Sequence, residues 1–257
     1  MMAAIGTGNV APGMLTMSLG TSGTLFACAD QPVVDDRAGW AAFCSSTGAW
    51  LPLICTMNCT VATENVARAF GFDSRDGDAV LQGTRPGADG LGMLPFFNGE
   101  RTPDLPRARA SFHGLDPENF TRANAYRAAM EGATYALRNG FDSLRAAGLR
   151  FSSIRLTGGG SRSGAWRQMV ADVFGLPVEV PAEQEGAAFG AALQALWACT
   201  TSGTQAQLQA LASEHVRLGA GMDARPDPAA SAAYRPSYER FLQQLQIEID
   251  RSPAPTF

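Results

Sequence analysis

Two hydrophobic periods divide this chain. Near the N-terminus the period is two. Leu15-Thr16-Met17-Ser18-Leu19 alternates apolar and polar positions, as a half-buried strand does, and Thr24-Leu25-Phe26-Ala27-Cys28 reads as a second strand. Gly20-Thr21-Ser22-Gly23 lies between them with a glycine at each end, which predicts a β-hairpin. Ala41 to Ser45 and Trp50 to Cys55 predict another hairpin around Thr47-Gly48. A helix is expected from Val61 to Phe70, stopping at Gly71. Residues 73–120 are rich in Gly, Pro and Asp and read as a loop-rich insertion.

After this insertion the helical period takes over. Tyr126, Met130, Ala133, Leu137, Phe141 and Leu144 share one face, with Thr121 to cap the start and Gly148 to end the helix. Ile154-Arg155-Leu156 is a short strand, Gly158-Gly159-Gly160-Ser161 a turn, and Trp166, Met169, Val170, Val173 and Phe174 a helical stripe closed by Gly175 and Pro177. Val178-Glu179-Val180 is the next strand. Further helices are expected from Glu185 to Cys199, around Gln205 to Ala212, and through Tyr238, Phe241, Leu242, Leu245 and Ile249. Hairpins followed by strand–helix alternation predict an α/β fold with a mixed sheet flanked by helices.

Composition then removes several chemistries. All 20 basic side chains are Arg, so a Walker A lysine, a pyridoxal Schiff base and a lysine general base are excluded. His113 and His215 are the only histidines, too few for paired-His zinc motifs, and no metal-ligating residue is assigned in the chain. The net charge of −4 argues against a nucleic-acid partner. No apolar run is long enough to span a membrane, and Met1 to Gly8 has no signal-peptide pattern, so a cytoplasmic location is expected. The 5 cysteines have no framework spacing and read as reduced, mostly buried thiols.

The two glycine turns are the candidate chemistry. Successive N–H groups in Gly20 to Gly23, with two hydroxyls, can form an anion-binding concavity, although an ordinary hairpin turn fits as well. In Gly158 to Gly160 three glycines clear side chains from a place where a phosphate or flat ring could lie, ahead of a helix N-terminus. A tight strand–helix connection would look the same, and the spacing is not the GxGxxG dinucleotide fingerprint.

Together these residues resemble the C-terminal half of the FGGY carbohydrate kinases. Ala110-Ser111-Phe112-His113-Gly114-Leu115 through Ala128-Ala129-Met130-Glu131 matches a second signature of that family, with Ala125 the one smaller position. Phe97-Asn98-Gly99-Glu100-Arg101-Thr102-Pro103 is similar to the corresponding segment of its xylulokinase branch. The resemblance implies a ribonuclease H-like, actin-like ATPase domain spanning 1–257, a nucleotide-binding half whose N-terminal sugar-binding domain is absent. It implies ATP and Mg²⁺ as cofactors, phosphate binding at Gly20, Thr21, Ser22 and Gly23, and adenosine binding at Gly158, Gly159, Gly160 and Ser163. Glu100 and Arg101 would order a loop at the interdomain cleft, or pair with each other. The implied reaction is ATP-dependent phosphorylation of a ketopentose, D-xylulose to D-xylulose 5-phosphate, and the resemblance admits a homodimer. The implied catalytic base is an Asp about two residues before Met1, so no catalytic residue is expected in this chain. The alternative is a nucleotide-binding module without activity of its own.

Four further readings are bland. Asn58 and Thr60 read as a helix cap, Trp166 as core, His113 as a local hydrogen-bonding group, and Asp35-Asp36 as a solvated turn.

Overall fold

The structure is a computed structural model, and it describes residues 1–35, 39–183 and 185–251. Its centre is a six-stranded sheet. The strands are β1 (Met14–Leu19), β2 (Gly23–Ala27), β3 (Ala41–Cys44), β4 (Trp50–Thr56), β7 (Ser153–Thr157) and β8 (Val178–Glu179), in the order β3-β4-β2-β1-β7-β8. The first four are antiparallel neighbours, whereas β7 pairs parallel to both β1 and β8. A separate ribbon, β5 (Gly92–Leu94) with β6 (Ser111–His113), lies in the loop-rich stretch.

The alternation of apolar residues sends the two sheet faces to different helices. Leu15, Met17, Leu19, Leu25 and Ile54 join the main core with Leu137, Phe141 and Leu144 of α4 (Arg122–Ala146) and Val170 of α5 (Gly164–Phe174). Each such side chain stabilises the fold by roughly 1.5–3 kcal/mol relative to exposure. The opposite face carries Thr16, whose hydroxyl meets Thr7 and Asn9 at 3.0 Å. Ala4 of α1 (Met2–Gly6) packs there on Phe26 and Leu51. On the same face Arg155 pairs with Glu179 across β7 and β8 at 3.1 Å.

Helix ends follow their local chemistry. Thr121 caps α4 by accepting from the Asn124 N–H, and Gly175 ends α5 in the left-handed region with φ of 67°. The stripe predicted on α4 is buried along its length, from Tyr126 to Leu144. The remaining helices are α2 (Thr60–Ala69), the single turn α3 (Gly77–Val80), α6 (Gly186–Thr200), α7 (Gln205–His215) and α8 (Pro228–Arg251). Among the described residues no helix is long and apolar enough to cross a membrane.

Several expectations are corrected. The helix before which Asn58 sits is capped by neither Asn58 nor Thr60: Cys59 holds the cap position without a side-chain bond, because Asn58 is buried and engaged elsewhere. Only Cys28 and Cys59 are buried; Cys55 is half-buried, and Cys44 and Cys199 are exposed. Asp35 accepts from the Gly39 N–H at 2.6 Å, and Asp36 lies outside the described residues.

Candidate nucleotide cleft

Parallel pairing of β1 with β7, in register at Ser18 and Thr157, makes both strands end at the same edge of the sheet. The two glycine turns that follow them are therefore neighbours. Their contact is tight. A Cβ built on Gly158, whose φ is 84°, would stand 2.6 Å from the Leu19 carbonyl oxygen, and one on Gly160 would stand 2.8 Å from the Leu19 Cβ and 3.1 Å from the Trp166 ring. At Gly159 the same Cβ meets nothing within 4 Å. All three glycines border the two hollows beside this turn, and only at Gly159 would an added side chain find open space. Gly158 and Gly160 let the two turns pack.

The hairpin turn is rich in unused donors. Its carbonyls are engaged, since Gly20 accepts from the Thr60 N–H and Thr21 from the Cys59 N–H, both at 2.9 Å. The Gly20 N–H donates to the Ser22 carbonyl at 3.2 Å, and the Gly23 N–H to Thr56 Oγ1 at 3.2 Å. Among the described residues the N–H and hydroxyl groups of Thr21 and Ser22 make no hydrogen bond. Two adjacent N–H groups and two hydroxyls complement an anion.

Beside this turn lies an open cleft of ≈ 490 Å³, bordered by Thr60, Thr63, Asp78, Tyr126, Gly159 and Ser163 among others. A second hollow of ≈ 210 Å³, on Gly158, Gly159, Arg162 and Ala182, adjoins it at Gly159. The Ser163 hydroxyl is already committed. It accepts from the Trp166 N–H at 3.0 Å as the cap of α5, and it donates to Asp78. Trp166 is core, 2% exposed, with its indole N–H on Thr134 Oγ1 at 2.9 Å. Sequence reasoning missed Asp78, because nothing local marks an acid that acts across the fold.

Glu100 is a buried anchor. It is 2% exposed and accepts from the Met57 N–H at 2.6 Å, the Arg101 N–H at 2.7 Å and Asn58 Nδ2 at 3.3 Å. Burial raises its pKa, and these donors oppose the rise. Asn58 in turn donates to the Gly99 carbonyl at 2.6 Å and accepts from the Asn98 N–H at 3.1 Å. Glu100 and Arg101 form no ion pair; the Arg101 contribution is its backbone N–H, and its side chain is exposed. Since Cys59 and Thr60 grip the hairpin turn, Glu100 is tied to that turn through residues 57–60. His113 bonds Ser111 Oγ at 2.9 Å, as its local reading requires, and His215 stands 3.9 Å from Glu214.

The donor set decides what could be held here. Backbone N–H and hydroxyl groups fit phosphate oxygens, and the bare Gly159 fits a nucleoside that needs room. The same N–H donors do not fit a Mg²⁺ ion, which takes oxygen ligands. Among the described residues no group of three or more His, Cys, Asp or Glu is assembled.

A mixed sheet flanked by helices, with two glycine turns at one edge, defines an actin-like ATPase fold. The crystal structure of a xyloylose kinase from Brucella ovis superposes with a TM-score of 0.86 at 30% identity over 96% of this chain and 50% of that one. The xylulose kinase from Bifidobacterium adolescentis gives 0.74 at 33% identity, covering 92% and 45%. Residues 15–199 match the FGGY family of carbohydrate kinases, C-terminal domain, and the chain belongs to that family. It is 45% identical to a xylulose kinase from Haemophilus influenzae over 245 residues, which are 95% of this chain and 49% of that protein. The chain thus spans about half the length of the curated relatives it matches.

Proposed function

We propose that this chain is the ATP-binding half of a sugar kinase that phosphorylates a pentulose, D-xylulose to D-xylulose 5-phosphate. The observation that carries this reading is the juxtaposition of an unclaimed donor turn at Thr21-Ser22 with the open space at Gly159. The similarity to xylulose kinases supports the sugar.

ATP, when bound, supplies the phosphoryl group that is transferred. The Thr21 and Ser22 N–H and hydroxyl groups hold its phosphate oxygens, and the absence of a side chain at Gly159 admits the nucleoside. Phosphoryl transfer relies mainly on positioning and charge stabilisation, so rigid donors at the turn are what this half contributes. Rigidity comes from Glu100, which fixes residues 57–60 and through them the turn. No proton-transfer step and no metal ligand is assigned to a residue of this chain.

The test has two arms. Calorimetry of this chain with ADP reads nucleotide binding. Assay of the longer protein containing it, with ATP and D-xylulose, glycerol or gluconate, reads the sugar. Turnover of glycerol or gluconate with none on D-xylulose would overturn the substrate. ADP binding by the chain without sugar phosphorylation by the longer protein would favour a non-catalytic nucleotide module.

A further inference from the structure

Away from the nucleotide cleft, a second pocket contains an acid that is short of donors. The β5–β6 ribbon, α4 and α8 border a space of ≈ 200 Å³ that shares no lining residue with the cleft or the hollow adjoining it. Leu91, Met93, Leu94 and Phe241 give it an apolar wall. Glu131, Tyr135 and Ser237, all buried, also line it. Counting hydrogens leaves Glu131 incomplete. Its Oε1 accepts from the Gly87 N–H at 2.9 Å and faces Arg127 Nε at 3.0 Å. For Oε2 the one donor among the described residues is the Tyr135 hydroxyl, at 3.4 Å. That hydroxyl carries a single hydrogen and lies 2.6 Å from Ser237 Oγ. Ser237 donates its own hydrogen to the Tyr234 carbonyl at 2.8 Å, so the Tyr135 hydrogen goes to Ser237. A buried carboxylate oxygen is thereby left without a short donor, which is a costly state.

We infer that this pocket is a binding site for a small neutral alcohol or phenol. The apolar body lies against Leu91, Met93, Leu94 and Phe241, and the hydroxyl donates to Glu131 Oε2. Apolar walls with a few placed polar groups are what small-molecule sites have in common. The size suits a single ring, since an apolar cavity of about 150 Å³ can hold benzene. Charge selects the head group. Arg127 beside Glu131, and the exposed Arg240 at the rim, disfavour an ammonium. Glu131 itself repels a carboxylate. His113, also lining the pocket, bonds Ser111, and the charges acting on it, Glu248 and Arg251, oppose one another. A hydroxyl is neutral and supplies the missing donor.

p-Cresol and toluene, which differ by one hydroxyl, are the probes. Calorimetry of this chain is run at pH 8, above the value of about 7 to which burial pushes Glu131. p-Cresol should bind at least about tenfold more tightly than toluene, the factor given by a hydrogen bond to a charged group. Glu131→Gln replaces one acceptor with an NH2 donor and should cut that preference at least about threefold. Gly92 stands opposite His113 in the ribbon, both line the pocket, and a Cβ on Gly92 would meet nothing within 4 Å. Gly92→Leu should therefore fill the pocket and abolish binding of both probes, which keeps the test decisive if Glu131→Gln melts early. p-Cresol that binds the parent no more tightly than toluene, or that binds Gly92→Leu as well as the parent, overturns the inference. ADP titrations of the same samples should be unchanged, because the two sites share no residue. Failure of the parent to bind ADP would overturn the nucleotide reading and leave this pocket's result standing.

Discussion

Gly158 lies so close to Leu19 that no side chain fits between them: a Cβ would come within 2.6 Å of the Leu19 carbonyl oxygen. This contact joins two turns that are far apart in the chain and gives the three consecutive glycines unequal jobs. Gly158→Ala and Gly160→Ala should each destabilise the fold by about 1–3 kcal/mol through overpacking. Gly159→Val should leave the melting temperature within a few degrees and weaken ADP binding at least about tenfold, since a tenfold loss corresponds to only about 1.4 kcal/mol. Thermal denaturation and calorimetry on the three variants check the split. Equal melting losses at all three positions would contradict it.

The hairpin hydroxyls should matter for binding and little for folding. Thr21→Val removes one hydroxyl from an exposed position where it makes no hydrogen bond among the described residues. Losing one hydrogen bond to the ligand of about 0.5–1.5 kcal/mol predicts two- to tenfold weaker ADP binding. Urea unfolding should show an unchanged midpoint.

Glu100 is predicted to act through its oxygens. Glu100→Gln keeps the shape but turns one acceptor into a donor: with its oxygen kept on the Met57 and Arg101 N–H groups, its NH2 faces the Asn58 Nδ2 donor. The expected loss is about 1.5–3 kcal/mol, the usual worth of a hydrogen bond to a charged group. Urea midpoints measure it. A variant as stable as the parent would show that the loop is held by other contacts.

A pH dependence follows from Glu131. It is buried between Arg127, at 3.0 Å, and the Gly87 N–H, at 2.9 Å. Burial pushes its carboxyl up from 4.5 to about 7, against the opposing pull of Arg127. The folded chain then binds more protons than the unfolded chain between these values. This contribution therefore lowers stability as the pH rises from about 4.5 to 7, and its cost is complete above that window. Melting temperatures from pH 5 to 8 should fall in the parent. The Glu131→Gln profile should lack that component, whatever its absolute stability.

The contact of α1 with α6 is equally intolerant. A Cβ on Gly190 would lie 1.9 Å from the Met2 carbonyl oxygen, and one on Gly6 the same distance from that of Gly186. Gly190→Ala should free α1, visible as faster amide exchange at Ala4 and Ile5 with the main core intact. Unchanged protection there would refute the contact.

Most elements were legible from neighbours a few residues apart. The period-two run at Leu15 to Leu19, the Thr121 cap and the Gly175 stop each depend on local steric or hydrogen-bonding rules, and each stands where the pattern placed it. The family was legible too, because its motifs are contiguous. The role of Asn58 was not. Its short polar side chain suits a cap, and only the fold showed it bonded to Gly99 and Asn98 instead. Asp78 is the same case, an acid whose partners are Ser163, Gly164 and Ala165.

Residue order alone established a mixed α/β chain and two glycine turns, which rest on local periodicity and on which side chains are missing, and a carbohydrate-kinase resemblance, which rests on contiguous motifs. Tertiary structure decided that the turns meet, that only Gly159 of the three glycines has room for a side chain, and that one helix end is already filled by Asp78. Those facts depend on the parallel pairing of β1 with β7 and on distances of a few ångströms between segments remote in sequence, which no local pattern encodes.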